Sequence, residues 1–226
     1  MKRIFCLLLI AFSLTTSAQN DVTTFLGIPV DGTKEEMRSK LIKKGFKPDK
    51  LVDMEYLKGE FNGEDVKIFI ATNKNKVYRI MVCDEIRRRE ASIKNRFNVL
   101  VSQFENNKRY LKLDDYTIPN DVDISYEMSV NNKSFVATFF QMADPEKIDS
   151  IDYEKINQQL LKKYTIEQIY NETEEVKKEK ERLLLDYITE RSSNKPVRFQ
   201  ISEFQHEYYI TMYYDNEYNC ANGEDL

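Results

Sequence analysis

The chain has 226 residues, of which 34 are lysine or arginine and 38 are aspartate or glutamate, so its net charge is −4 at neutral pH. This acidic balance disfavours a general nucleic-acid binder, because such proteins present a basic patch or stripe to the phosphate backbone. Apolar residues make up 41% of the chain, and it has only six glycines. The composition therefore predicts a folded domain rather than a disordered one.

Residues 1–18 have the composition of a secretory signal peptide. Two basic residues precede an apolar segment at 4–14, and small residues end at Ala18. This order predicts cleavage before Gln19 and a mature protein in the periplasm or outside the cell. The apolar segment is about half of the ~20 residues that span a bilayer, so we expect no membrane anchor. Cys6 lies inside that segment rather than at the cleavage point, so we expect no lipid anchor either.

Without residues 1–18, the chain has 32 basic and 38 acidic side chains and a net charge of −6. The segment 19–226 is long enough for one sizeable core, and we predict a single domain. Its two cysteines, Cys83 and Cys220, can form one disulfide in an oxidising compartment. Two free thiols are the alternative, because the sequence does not give the distance between the two Cα atoms.

A first helix is predicted at 34–44. Thr33 and Glu36 have the spacing of a capping box, in which each side chain accepts a hydrogen bond from the backbone of the other. Gly45 is predicted to end the helix in the left-handed conformation, with Phe46 packing back onto the last turn.

Three antiparallel strands are predicted next. Residues 54–61 and 65–72 flank Asn62-Gly63, a dipeptide that favours the type I′ turn of a hairpin. A third strand at 77–83 follows after another short loop. Loops of this length do not allow parallel crossovers, so the strands form an antiparallel meander.

The remaining pattern alternates between helix and strand. Apolar residues at helical spacing predict a second helix over about 87–108, with one face packed on the sheet. Strands are predicted at 124–130 and 134–142 and, after an interruption, at 197–204 and 207–214. The predicted fold class is therefore α+β, with an antiparallel sheet of roughly six to seven strands packed against helices.

The interruption, 143–196, is predicted to be a helical insertion between strands. Thr165 and Gln168 repeat the capping-box spacing, and one long charged helix is predicted from 166 to about 190. We interpret it as a solvated helix with a narrow docking seam. The alternative is a helix that binds a partner or a second copy of the chain.

Two resemblances are carried by the segments FLGIPVDGTKEEMRSKLIKKGF at 25–46 and KGEFNGEDVKIFIATNKNKVYRIMVCDE at 58–85, and by the tail NEYNCANGEDL. Together these segments resemble uncharacterised exported proteins of Bacteroidota-type bacteria. The opening helix and hairpin also resemble the αββ modules of the β-lactamase-inhibitor-protein and BamE-like folds, which implies a binding or scaffolding module. BamE-like proteins are lipoproteins, whereas this chain has Gln19 where the lipidated cysteine would stand. Neither family supplies catalytic residues.

The sequence lacks the common catalytic motifs. It has one histidine, His206, which excludes multi-histidine metal centres, and it has no nucleophile elbow, glycine-rich phosphate loop or CxxC pair. We interpret His206 as a polar residue of a hairpin turn. The alternative is a secreted hydrolase that uses His206 or scattered carboxylates brought together by folding. No catalytic residue, cofactor or metal site is predicted.

Two acidic loops carry oxygen atoms that could bind calcium. One spans 120–123, and the other contains Asp144, Asp149 and Asp152. Neither has the twelve-residue spacing of an EF-hand loop, so we interpret both as solvated carboxylates.

The last predicted strand has aromatic residues on both faces. Tyr208 and Tyr214 share one face, and Tyr209 and Tyr213 share the other, because side chains alternate along a strand. We expect a helix to cover the second face. The alternative is that Tyr209 and Tyr213 form an exposed binding surface, a role that suits the large apolar body and polar tip of tyrosine.

These patterns predict an exported, non-enzymatic binding or scaffolding module. We expect it to recognise an unidentified protein or envelope component, without nucleic acid, cofactor or stable membrane anchor.

Overall fold

The computed structural model describes residues 21–52, 54–142, 150–221 and 223. The predicted signal peptide at 1–18 and the cleavage site before Gln19 lie outside the described residues. Within the described part of the chain, none of the helices combines the length and the apolar character needed to cross a bilayer.

The described residues form an eight-stranded antiparallel sheet, a two-stranded ribbon and six α-helices. In spatial order, the strands of the sheet are β3 (Lys47–Leu51), β4 (Met54–Phe61), β5 (Glu64–Asn73), β6 (Lys76–Asp84), β10 (Glu207–Asp215), β9 (Pro196–Phe204), β8 (Val136–Gln141) and β7 (Tyr110–Lys112). The ribbon pairs β1 (Thr24–Phe25) with β2 (Ile28–Pro29). The helices are α1 (Lys34–Lys43), α2 (Glu90–Glu105), α3 (Ile124–Ser129), α4 (Ser150–Leu161), α5 (Ile166–Tyr170) and α6 (Glu174–Ser193).

The predicted α+β class and antiparallel sheet are confirmed, but the predicted strand count is wrong. The sheet has eight strands rather than six to seven. The prediction lacked both of its edge strands, β3 and β7. β3 contains Pro48 and is mostly exposed, and β7 has only three residues, so neither has the apolar alternation that identifies a strand from sequence.

The first helix forms as predicted. The Thr33 hydroxyl oxygen accepts a hydrogen bond from the backbone N–H of Glu36 at 3.3 Å, and the Glu36 carboxylate accepts one from the backbone N–H of Thr33 at 3.0 Å. At the other end, Gly45 has φ +104° and the backbone N–H of Phe46 donates to the carbonyl of Leu41 at 3.3 Å. Leu41 and Phe46 are both buried, which fixes the angle at which α1 meets the sheet.

The first hairpin also forms as predicted. Asn62 and Gly63 have φ values of 55° and 75°, as a type I′ turn requires. Gly59, inside β4, has a separate role: a Cβ atom there would lie 2.4 Å from Cδ1 of Phe46. The missing side chain makes room for the Phe46 ring against the strand.

The strand predicted at 124–130 is wrong, because this segment is the helix α3. The Asp123 carboxylate caps it by accepting a hydrogen bond from the backbone N–H of Tyr126 at 2.7 Å. The apparent alternation of apolar residues was misleading, since Tyr126 and Val130 are exposed and only Ile124 is fully buried. The strand predicted at 134–142 does form, as β8, but it pairs with β7 and β9 rather than with the segment before it.

The helical insertion between β8 and β9 is present in the described residues, although the single long helix predicted at 166–190 is two helices, α5 and α6. The predicted capping box is confirmed at the start of α5, where Thr165 and Gln168 exchange hydrogen bonds. Val176 on α6 is buried, as are Ile156 and Leu160 on α4, and the two helices pack together. The seam of α6 therefore docks within the chain.

The main core lies between one face of the sheet, here called the inner face, and the helices α1 and α2. Buried side chains of both helices and of the central strands belong to one apolar cluster. At its centre the ring of Phe199 lies 5.1 Å from Phe97, 5.4 Å from Phe104 and 6.0 Å from Phe139, measured between ring centroids. Both helices cover the same face, so neither of them covers the opposite face, here called the outer face.

Candidate functional site

The predicted alternation along β10 is confirmed by burial. Tyr208 and Tyr214 are buried on the inner face, whereas Tyr209 and Tyr213 are half-buried on the outer face. The helix that we expected over the outer face is not found among the described residues: α1 and α2 pack on the inner face, and the helices at 150–193 contact the sheet mainly at β8.

A buried carboxylate organises the outer face around Tyr213. Asp215 has no exposed surface, and its side chain accepts hydrogen bonds from Nε of Arg79 at 2.6 Å and from Nη2 of Arg79 at 2.9 Å. Nη2 of Arg198, on the next strand, donates to the same carboxylate at 2.7 Å. The carboxylate raises the pKa of Arg79 by accepting its hydrogen bonds. Two guanidinium groups therefore share one carboxylate, which leaves this part of the face positively charged.

The two arginines bracket the ring of Tyr213. The guanidinium carbon of Arg79 lies 4.9 Å from the ring centroid and that of Arg198 lies 5.9 Å from it, both within the range of a cation–π contact. Gln200 donates from Nε2 to the phenol oxygen at 3.5 Å, and burial raises the pKa of Tyr213. We call the four residues Arg79, Arg198, Tyr213 and Asp215 the tyrosine–arginine cluster.

The surface between Tyr209 and Tyr213 is lined by small polar side chains. The hydroxyl groups of Ser202 and Thr211 are 2.9 Å apart, and Sγ of Cys83 lies 3.9 Å from the Thr211 hydroxyl oxygen. These short side chains lie between the two tyrosine rings on the outer face, and Thr211 among them is buried.

Cys83 and Cys220 are free thiols, so the disulfide alternative is wrong and the free-thiol alternative is correct. Asn219, the neighbour of Cys220, donates from its side chain to the carbonyl of Val77 at 2.8 Å. Val77 and Cys83 are six residues apart on β6, which separates them by about 20 Å at the usual rise of a strand. A disulfide needs Cα atoms within about 7 Å of each other.

This separation predicts how the thiols react. If a protein of residues 19–226 is denatured without a reductant and then alkylated, both cysteines should carry one adduct each, and prior reduction should not change the mass. In the native protein the reaction should be slow near neutral pH, because burial raises the pKa of Cys83 and also raises that of Cys220 to about 11, and only the thiolate is nucleophilic. Intact-mass spectrometry measures both results. Adducts that appear only after reduction would contradict the separation.

His206 lies at the tip of the hairpin between β9 and β10, as predicted. Its side chain is 99% exposed, and Nδ1 is 4.0 Å from Oε1 of Glu203. A catalytic histidine needs a nucleophile beside it, and Cys83 is a candidate by residue type. The structure does not place Cys83 next to His206, because Cys83 contacts Thr211 in the middle of the sheet. The geometry of a catalytic triad is therefore not assembled at His206.

The acidic loops do not form a metal site within the described residues. Asp123 caps α3, and the carbonyl of Asn120 accepts a hydrogen bond from Lys94. Asp144, Asp149 and the side chain of Asp152 lie outside the described part. No group of three histidine, cysteine, aspartate or glutamate side chains in that part is placed to hold a metal ion.

Two of the clefts lined by described residues are large and open, and neither contains His206. One, of about 670 Å³, lies between α4, α6 and Tyr218, and the other, of about 520 Å³, lies between the tip of the first hairpin and the end of α2. Neither of these clefts therefore combines His206 with carboxylates, although Asp186 and Glu190 line the larger one.

A buried ionic cluster that was not predicted from the sequence lies where β6 meets α2. The carboxylate of Asp84 lies 3.1 Å from Nη1 of Arg88 and 3.4 Å from Nε of Arg96, and Arg96 also approaches Glu64 at 3.8 Å. Burial outweighs the arginines and raises the pKa of Asp84. One feature of the sequence could have indicated this cluster. Arg96 lies on the apolar stripe of α2, where a buried charged residue needs a partner of opposite charge.

These features define an α+β protein with an antiparallel sheet, helices on one face of that sheet, and a tyrosine–arginine cluster on the other. Comparison of the chain with protein-family models, curated proteins and solved structures gives no match. The resemblances to exported Bacteroidota-type proteins and to the β-lactamase-inhibitor-protein and BamE-like folds gain no support from these comparisons.

Proposed function

We propose that the protein is an exported, non-enzymatic binding module that recognises a protein or envelope component through the outer face of its sheet. The observation that carries the proposal is the half-exposed ring of Tyr213, which is held between Arg79 and Arg198, with both arginines fixed by Asp215.

The residue types and their rigidity both favour binding. Tyrosine and arginine contribute a large share of the energy at protein interfaces. A side chain that is already fixed loses little conformational entropy when a partner is bound. Tyr209 adds a second half-exposed ring on the same face, so a partner bound there can contact both rings.

The charge of the cluster favours an acidic partner. Around Tyr213, two guanidinium groups face one carboxylate, although the chain as a whole is acidic. A partner with carboxylate or phosphate groups would be attracted to this face, and the attraction would weaken as the salt concentration rises.

The test is affinity capture from the cell envelope of the source organism. The mature protein, starting at Gln19, is immobilised as the wild type and as a Tyr209→Ser/Tyr213→Ser variant. We expect a partner to be recovered with the wild type and to be reduced at least about tenfold with the variant, since rigid aromatic residues at an interface are commonly worth that much.

The control is a Tyr153→Ser/Tyr170→Ser variant, which removes two exposed tyrosines from the helical insertion. It should retain the partner, and thermal unfolding should show that all three proteins are folded. Equal capture by the outer-face variant would contradict the proposal. Capture of no partner, together with turnover in a hydrolase screen, would replace it with the hydrolase alternative.

A further inference from the structure

Basic side chains are concentrated at one edge of this acidic protein. Residues 38–58 contain seven basic and three acidic residues, in a chain of net charge −4. Among the described residues, Lys58 pairs with Asp49 at 2.8 Å, whereas the other six basic side chains form no ion pair. We call those six the basic edge: Arg38, Lys40, Lys43, Lys44, Lys47 and Lys50.

The basic edge is continuous in the fold. It begins in the last two turns of α1, crosses the turn at Gly45 and continues along β3, the outermost strand of the sheet. The five lysines of the set are exposed, and Arg38 is half-buried. Two carboxylates lie near this row of cations: Glu55 is opposite Lys50 across β3 and β4, and Glu36 interacts electrostatically with Lys40. The six basic side chains outnumber these carboxylates, so the row produces a local positive potential even though the whole molecule is acidic.

The basic edge ends at a group of exposed apolar side chains. Leu51 is 66% exposed, Val52 is 83% exposed and Met54 is 59% exposed. Leu51 pairs with Met54 across the strands β3 and β4, and Val52 begins the turn between them. We call these three residues the apolar tip. Large apolar side chains that are grouped on a surface commonly mark an interaction site.

The turn between β3 and β4 contains a residue in a backbone conformation that is unfavourable for its type. Val52 has φ 55°, and a β-branched residue in this conformation is a backbone outlier. The next hairpin of the same sheet uses Asn62-Gly63 for its turn, which takes positive φ values at little cost. A valine with this φ adds exposed apolar surface at the expense of backbone strain, and strained residues of this kind are common at functional sites.

We propose that the basic edge and the apolar tip dock the protein reversibly on an anionic phospholipid bilayer. The lysines contact lipid phosphates while Leu51, Val52 and Met54 enter the interface between headgroups and acyl chains. Stable binding to a membrane surface commonly requires both cations and exposed apolar residues. Neither electrostatic attraction to the phosphates nor insertion of apolar side chains is sufficient alone.

The lysines can be explained by structural roles that do not involve a membrane. The exposed residues of the apolar tip cannot be explained in this way. Basic residues at the end of α1 complement the helix dipole, and lysine and proline on an edge strand prevent pairing with other chains. Neither role calls for exposed apolar residues at Leu51 and Val52. Glu55 and Asp53 stand beside the tip in the sequence, so we expect shallow insertion.

The absence of tryptophan from the chain allows a direct test. A Leu51→Trp variant of the mature protein reports on the tip, and a Leu185→Trp variant is the control, since Leu185 is similarly exposed, at 62%, on α6. With vesicles of phosphatidylcholine and phosphatidylglycerol, the fluorescence of the tryptophan introduced at the tip should shift to the blue. The control should not shift, and neither variant should respond to vesicles of phosphatidylcholine alone.

Sedimentation with the same vesicles measures the contribution of the basic edge. A Lys43→Gln/Lys44→Gln/Lys47→Gln variant should bind about 100-fold more weakly, because each basic residue near an anionic surface contributes about fivefold. A Lys108→Gln/Lys162→Gln/Lys178→Gln variant has the same net charge and should bind like the wild type. The Tyr209→Ser/Tyr213→Ser variant should also bind normally, which separates this proposal from the proposed function.

Two results would overturn the proposal. One is equal weakening by both lysine variants, which would show that net charge alone governs binding. The other is failure to sediment with anionic vesicles while the protein binds soluble heparin, which would assign the basic edge to a polyanion instead of a bilayer.

Discussion

Replacing Phe199 with alanine is expected to lower the free energy of unfolding by about 3 to 5 kcal/mol, the usual cost of removing a large aromatic side chain from a core. Phe199 has no exposed surface, and its ring contacts Phe97 and Phe104 on α2 and Phe139 on β8. The cavity would lie where the helix meets two strands, so none of these elements could close it by moving alone.

Urea unfolding of a protein of residues 19–226 measures this change as a lower midpoint at a constant slope. Phe204→Ala is the matched control on the same strand, because Phe204 is 48% exposed and contacts the guanidinium group of Arg87 at 4.4 Å from the ring centroid. It should cost less than about 1 kcal/mol. Similar costs for the two variants would mean that Phe199 is not at the centre of the core.

Replacing Asp215 with asparagine is expected to lower the free energy of unfolding by about 2 to 3 kcal/mol, because an amide of the same shape cannot neutralise two guanidinium groups. The buried carboxylate accepts hydrogen bonds from both Arg79 and Arg198. Because the arginine side chains are 29% and 41% exposed, water can solvate them in part, and the cost should stay below that of a fully buried pair.

The same urea measurement tests this prediction, with Lys112→Gln as the control. Lys112 pairs with Glu105 at 2.8 Å, but its side chain is 53% exposed, so its loss should leave the midpoint nearly unchanged. An Asp215→Asn variant as stable as the wild type would show that the carboxylate does not organise the outer face. The variant should also capture less of the envelope partner, because Tyr213 would lose its fixed arginines.

Elements that depend on neighbouring residues were predicted well. The capping box of Thr33 and Glu36, the end of α1 at Gly45 and the turn at Asn62-Gly63 all formed as expected. Each is determined by hydrogen bonds or φ preferences within a few residues, so the sequence contains the information that sets it.

Elements that depend on distant residues were predicted poorly. The segment 124–130 has an alternating apolar pattern, yet it forms α3 because the Asp123 cap and the burial of Ile124 outweigh the weak preference for a strand. The edge strand β3 exists because β4 supplies hydrogen-bond partners, and its own sequence gives no such signal.

The candidate site also has some features that are set by neighbouring residues and others that are set by distant ones. Alternation along β10 is enough to place Tyr209 and Tyr213 on one face, since it follows from the sequence of that strand alone. The partners of Tyr213 are Arg79, Arg198 and Asp215 on three strands, and only strand order and register bring them together. The expected covering helix is not found among the described residues for a related reason: both α1 and α2 pack on the inner face, where the larger apolar surface lies.

The sequence by itself determined the α+β class, the main helices and hairpins, and the pair of tyrosines on one face, because periodicity and turn chemistry are local. The tertiary structure decided that α1 and α2 both leave the outer face uncovered, that Cys83 and Cys220 are far apart, and that one carboxylate holds two arginines against Tyr213. These properties depend on the order and register of strands that are distant in the chain, and the pairing energy that sets them is shared among many contacts rather than encoded at any one position.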